Sequence, residues 1–342
     1  MFLVLYIFFS FQFEKSIFNF EHIANISSTF STLLTFQFSI PLPSKLSQPP
    51  NIPDISITLL TSQLDKPIDS EDHYEYFPKT REESVKNIKE LIKQDIYDFN
   101  CINTFNITDM SNLFDDIYTD RNFDVSKWDV SNVTNMSYIF NHCKEFNGDL
   151  SGWNVSNVTD MTGMFCGCES FEGKGIENWD VSNVENIEEM FAICSKLNID
   201  FSNWKLKKIY STKNIFYNCE QLKGKGLDKW DVSNIVNMRA MFEGCSNLDF
   251  DLSNWNVSKV KYIQYMFYNC ENFTGKGLEN WDVNNISNML FAFANCKKLN
   301  CDNVKNWKVN DNCNISGMFN NCTNKPDWYE EKLKDKRNKY NL

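Results

Sequence analysis

The chain has 342 residues and a formal net charge of −11, and hydrophobic side chains make up 42% of it. That apolar content excludes a wholly disordered protein and suffices for a sizeable core. The acidic balance, with no clustered basic face, argues against a nucleic-acid partner.

Residues 1–13 (MFLVLYIFFSFQF) are apolar but too few to span a bilayer as a helix. They have the length of a signal-peptide hydrophobic region, without a basic start or a clear small-residue cleavage site. The expected location is the cell surface or the exterior if 1–13 acts as a signal, and the cytoplasm otherwise. Residues 1–77 read as a leader, because 14–77 carry prolines at 41, 43, 49, 50, 53 and 67 and no clear period. Residues 79–93 (KTREESVKNIKELIK) then read as a helix with Val85, Ile88, Leu91 and Ile92 facing inward. Together 78–100 form a helical N-terminal cap.

Residues 101–325 are an array. Trp stands at 128, 153, 179, 204, 230, 255, 281 and 307, at intervals of 25 or 26. With each Trp as position 0, position +12 is always Phe: Phe140, Phe165, Phe191, Phe216, Phe242, Phe267, Phe293 and Phe319. Position +15 is always Cys: Cys143, Cys168, Cys194, Cys219, Cys245, Cys270, Cys296 and Cys322. These three columns take eight of the 9 Trp, eight of the 12 Cys and eight of the 29 Phe in the chain, and they mark eight stacked repeats.

Within a repeat, positions 0 and +2 are apolar (Trp128, Val130) and Asp129 and Ser131 polar, the alternation of a short strand. Met136, Ile139, Phe140 and Cys143 follow the i, i+3, i+4, i+7 spacing of one helix face, with Thr134 or Asn135 as N-cap. The expected unit is therefore strand, turn, short helix, return loop, giving an α/β class. No single unit can bury its own apolar side; stacking does. The longer return loops carry paired glycines in 172–175 (EGKG), 223–226 (KGKG) and 274–277 (TGKG), which permit positive φ.

Position +1 reads Asp129, Asn154, Asp180, Lys205, Asp231, Asn256, Asp282 and Lys308. Equivalent residues on neighbouring strands would be about 4.8 Å apart, so an unbroken Asp column would be repulsive. Separating each Asp by Asn or Lys suits an exposed strand face. The array ends are degenerate: Ile107, Met110, Leu113 and Phe114 fit a partial repeat lacking Trp and Cys, and Asn312 replaces Val or Ile at position +5. Residues 326–342 read as a charged C-terminal tail with helical potential.

Little in the array suggests chemistry. The Cys column lies on the apolar side, as expected of buried free thiols. Parallel Cβ vectors disfavour disulfides between neighbours, and Cys166-Gly167-Cys168 is the nearest approach to a zinc ligand pair. His22, His73 and His142 are the only histidines, so only His142 could act as a base in the array. Gly-Lys-Gly is a turn rather than a phosphate loop. The N-x-[S/T] matches at Asn132, Asn135, Asn154, Asn157, Asn256 and Asn285 fit turn and cap hydrogen bonds. No catalytic, cofactor-binding or metal-binding residues are assigned.

The stretch WDVSNVTNMSYIFNHCKEFNGDLSGWNVSNVTDMTGMFCGC (128–168) resembles BspA-type leucine-rich-repeat surface proteins and, more closely, the mycoplasma-type surface-lipoprotein repeat. The lead-ins FPKTREE (77–83) and NITDMSNLF (106–114) are similar to sequences preceding such arrays. The resemblance covers roughly 77–328. It implies a leucine-rich-repeat-like solenoid of eight 25–26-residue strand–turn–short-helix repeats, acting in adhesion or host interaction. The chain departs from it in having no lipobox Cys near its start, which leaves membrane anchoring open. The expectation is a non-catalytic, protein-binding array without cofactor. The alternatives are an intracellular scaffold of viral or bacterial origin and a self-associating structural protein.

Overall fold

The structure is a computed structural model that describes residues 75–115, 117 and 120–340. The signal-like stretch 1–13, His22, His73 and the leader as far as residue 74 lie outside the described residues.

Helix α1 (Arg81–Lys93) starts at Thr80, whose side chain accepts from the Glu83 amide at 3.3 Å, with Glu82 and Glu83 in the first turn. Ile88 and Leu91 are buried, and Val85 and Ile92 pack against the same core.

From residue 102 onward the chain runs as stacked coils, each placing its residues beside those 25 or 26 further on. Parallel bridges mark the register at position +7: Asp109 with Asn135, Asn135 with Asp160, Asp160 with Asn186, and Ser211 with Asn237. Tyr262, Asn288 and Asn314 continue it. The first coil is the degenerate one, with Ile102 at position 0 and Ile117 at position +15, both buried.

The local elements differ from those expected. The segment read as a helix, positions +8 to +15, is a train of overlapping turns. In the Trp128 coil the Ile139 amide donates to the Met136 carbonyl (3.3 Å), Asn141 to Tyr138 (3.1 Å) and Cys143 to Phe140 (3.0 Å). Positions +10 and +14 take positive φ throughout, from Tyr138 (56°) and His142 (58°) to Gly317 (63°) and Asn321 (58°). A left-handed residue every fourth position is incompatible with an α-helix. It turns the alternate peptide groups along the stack. The amides of Met136, Tyr138, Phe140 and His142 donate to the carbonyls of Asp160, Thr162, Met164 and Cys166 in the next coil, at 2.7–3.0 Å. These ladders, rather than a strand at positions 0 to +2, join the coils.

Two features of the return loops explain the alternation of 25 and 26. Gly175, Gly226 and Gly277 have φ of 90°, 82° and 92°, and a Cβ there would lie 2.2–2.3 Å from the amide nitrogens of Ser151, Ser202 and Ser253. Only glycine allows this approach to the shorter loop of the preceding coil. The intervening lysine clasps the same loop. The Lys174, Lys225 and Lys276 carbonyls accept from Leu150, Phe201 and Leu252, and their ammonium groups meet Asp149, Asp200 and Asp251 at 2.7–3.0 Å.

Both ends are closed by groups standing in for an absent coil. Arg81 of α1 donates to the carbonyls of Ser111 and Asn112 in the first coil, and its bond to Asn112 is 2.7 Å. Ser111 is at position +9, whose carbonyl accepts from the preceding coil everywhere else in the ladder. At the other end, 326–342 is more than a charged tail. Helix α2 (Asp327–Tyr340) buries Tyr329 and packs Trp328 and Leu333 on the core. Trp328 Nε1 donates to the Val304 carbonyl at 2.9 Å, the next place in the series of indole–carbonyl bonds.

Candidate binding face

The three conserved-spacing columns are interior. The eight tryptophans at position 0 are at most 7% exposed, and successive rings stack at centroid distances of 6.2–6.4 Å in the pairs Trp128–Trp153, Trp153–Trp179, Trp204–Trp230, Trp255–Trp281 and Trp281–Trp307. Each Nε1 reaches the carbonyl three residues before position 0 of the preceding coil, as Trp204 does to Ile176 at 3.0 Å, except Trp281, whose buried Nε1 has no acceptor. The Phe column stacks at 5.4–5.7 Å from Phe140 to Phe319, with Phe165, Phe191 and Phe216 within 3° of parallel.

The Cys column has a polar function inside that core. The Sγ of Cys168, Cys194, Cys219, Cys245, Cys270, Cys296 and Cys322 lies 3.0–3.1 Å from the carbonyl of the position +12 Phe one coil earlier. A thiol is small enough for the site and still donates to an oxygen there, which Ala or Val could not do. All twelve cysteines are free thiols. Burial pushes Cys143 up to about 12 and the more deeply placed Cys194 and Cys219 well above the ordinary range. Such groups stay protonated and unreactive at neutral pH.

Position +1 is exposed, but its side chains serve the chain itself. Asp129, Asn154, Asp180, Asp231, Asn256 and Asp282 each accept from the amide two residues on, at 3.0–3.2 Å, closing an Asx turn. Ser182 and Ser233 thereby hold the Asp180 and Asp231 carboxyls below their usual range. The polar–apolar–polar pattern that read as a strand face is the signature of this turn. Lys205 and Lys308 stand exposed in the same column. The N-x-[S/T] asparagines are also engaged: Asn132, Asn157 and Asn285 donate Nδ2 to Phe105, Ser131 and Ser258 carbonyls at 2.7–2.8 Å.

The outward surface that differs from coil to coil is the solvent side of the turn ladder. Positions +8, +11 and +12 point inward; +6, +7, +9, +10, +13 and +14 line the outside, apart from the buried Ala192, Ala240, Ala294 and Cys313. Position +10 alone runs Tyr138, Gly163, Glu189, Asn214, Ala240, Tyr265, Phe291, Gly317. Where it is glycine the preceding ring covers the bare backbone: a Cβ on Gly163 would meet Tyr138 Cε1 at 2.1 Å, and one on Gly317 would meet Phe291 Cε1 at 2.3 Å. His142 belongs to this side as well, against Gly167, with its own amide donating to Cys166. The sequence pattern missed this surface because it placed these residues on a helix. The recurrent Asn and Gly at position +14 were the available signal for left-handed backbone.

No curated protein and no solved structure matches the chain. One family model, described as "Mycoplasma protein of unknown function, DUF285", matches residues 81–204 and again 211–330. Those two matches take in α1, every coil and the start of α2, and the chain belongs to this repeat family.

Proposed function

We propose that the protein is a non-catalytic, leucine-rich-repeat-like solenoid that binds another protein through the outer side of its turn ladder. On this reading it is related to BspA-type surface proteins and works in adhesion or host interaction. The observation that carries it is the contrast between columns. In the eight coils from Trp128 onward the interior positions repeat Trp, Phe and Cys without exception, while the six ladder-face positions change charge and size from coil to coil. A scaffold that holds its backbone constant and varies one face has the arrangement of a recognition surface. No group of three His, Cys, Asp or Glu side chains that could hold a metal occurs among the described residues.

The test compares what the full chain retains from cell and matrix extracts with what two variants retain. Arg239→Glu/Tyr262→Ser alters the ladder face, and Asp231→Asn alters position +1 while keeping its Asx turn. The reading expects the bound proteins to be lost from the first variant and kept by the second. Equal retention by both removes the ladder face as the binding surface.

A further inference from the structure

The ladder face is divided. Among the described residues of the first four coils (from Ile102, Trp128, Trp153 and Trp179) its positions carry Asp109, Asp115, Asp160, Glu185, Glu188 and Glu189, and no Lys or Arg. In the next three (from Trp204, Trp230 and Trp255) the same positions carry Lys213, Arg239 and Lys261, with Glu243 half-buried. Aromatic side chains concentrate beside these cations. Tyr210 is 70% and Tyr262 41% exposed. Tyr265 stacks on Phe291 at 5.6 Å, and Tyr268 meets the same ring edge-on at 6.3 Å.

The core has no need of these rings, since positions +8, +11 and +12 already fill it. Tyr and Arg gathered on one solvent face, with small residues (Ala240, Gly244) around them, is the composition of an interface centre. Whatever covers it must bring negative charge and polar groups.

We infer that the occupant is a second copy of the chain, packed face to face and antiparallel, so that the acidic half of each copy covers the cationic, aromatic half of the other. This rests on the reading of the ladder face as a binding surface. The charge complementarity is internal: an axis through the Trp204 coil sets Arg239 opposite Glu188 on their shared position +9, and Lys261 at position +6 opposite Asp160 at the adjoining position +7. A two-fold axis lying across the ladder near the middle of the array reverses the order of coils but keeps each column opposite itself, as an isologous dimer requires. Adjacent coils of one chain already use the same pairing, with Lys213 at 3.8 Å from Glu188 and 3.3 Å from Glu189.

Sedimentation velocity on the full chain, from micromolar upward, is the test. The wild type sediments as a dimer. Arg239→Glu/Lys261→Glu sets carboxylates opposite Glu188 and Asp160, Asp160→Lys/Glu188→Lys sets cations opposite Lys261 and Arg239, and each variant alone sediments as a monomer with unchanged circular dichroism. Mixed together, the two variants form a one-to-one dimer. Tyr262→Ser/Tyr265→Ser weakens the wild-type dimer tenfold or more without altering any charge. A wild type that stays monomeric overturns the inference, as do charge variants that dimerise alone or fail to pair when mixed. A monomer that still loses a foreign partner on Arg239→Glu/Tyr262→Ser overturns only the second copy, and the ladder face stands as the binding surface.

Discussion

Replacing Trp204 by Ala tests the stacked core at one coil. Trp204 is 2% exposed, lies parallel to Trp230 (6.4 Å, 7°), meets Phe201 edge-on at 5.3 Å and donates Nε1 to Ile176. Truncating a buried indole costs about 3–5 kcal/mol in transfer and cavity terms. The lost Nε1 bond is part of that loss and is worth about 1 kcal/mol, because the Ile176 carbonyl keeps the Trp179 amide at 3.2 Å as a donor. Trp204→Phe keeps a ring in the column and drops the donor, so its cost is about 1–2 kcal/mol. Denaturant unfolding followed by circular dichroism measures both. Because each coil contacts only its neighbours, Trp204→Ala also splits the transition, with residues on either side of the lesion unfolding separately. An unfolding midpoint for Trp204→Ala within error of wild type would refute buried indole stacking.

The loop clasp gives a contrasting pair. Gly226→Ala forces a left-handed Cβ toward Ser202 N and costs about 2 kcal/mol or more, whereas Lys225→Ala removes only a surface ion pair and costs less than about 1 kcal/mol; equal losses would show that the ion pair, not the close approach, holds the loops. Acid sensitivity follows from the same clasp: Lys174 and Lys276 depress the Asp149 and Asp251 carboxyls to about 2. The depressed carboxyls contribute stability above the ordinary carboxylate range, and it is lost as pH falls from about 4 toward about 2. Asp149→Asn/Asp251→Asn should flatten the stability–pH slope in that window, and an unchanged slope would remove these two groups from the account. The buried thiols act at the other limit. With Cys143 at about 12 and Cys322 at about 11 against an unfolded value near 9, their contribution is complete below pH 9 and fades as pH rises beyond it. Alkylation of the folded protein at neutral pH should stay with the half-exposed Cys101, Cys166 and Cys322, and labelling of Cys194 or Cys219 at the unfolded rate would contradict their burial.

The repeat was legible because its period is strict: Trp, Phe and Cys recur at fixed offsets, and stacking alone explains why such large side chains do so. Local backbone was harder to read. Met136, Ile139, Phe140 and Cys143 have the spacing of a helix face, but two successive four-residue turns put the same four residues on one side. Only Asn218, Gly244, Asn269 and their equivalents distinguish the two, through their tolerance of positive φ. Asp129-Val130-Ser131 likewise satisfies both strand alternation and an Asx turn, and the choice depends on whether the Asp carboxylate has the Ser131 amide within reach. Trp328 escaped the pattern because it follows Trp307 by 21 residues on a helix, off the period it completes. The binding face could not be read until the turns were placed, since the six outward positions belong to no single helical or strand stripe.

Amide hydrogen exchange resolved by residue tests the ladder most directly. Interior coils should protect the amides at positions +8, +10, +12 and +14, for example Met238, Ala240, Phe242 and Gly244, which donate at 2.8–2.9 Å to the next coil. In the last coil Ile315, Gly317 and Asn321 have no following coil and should exchange far faster. Equal protection of those three and their interior counterparts, or rapid exchange at Ala240 and Gly244, would contradict coils joined by their turn ladders.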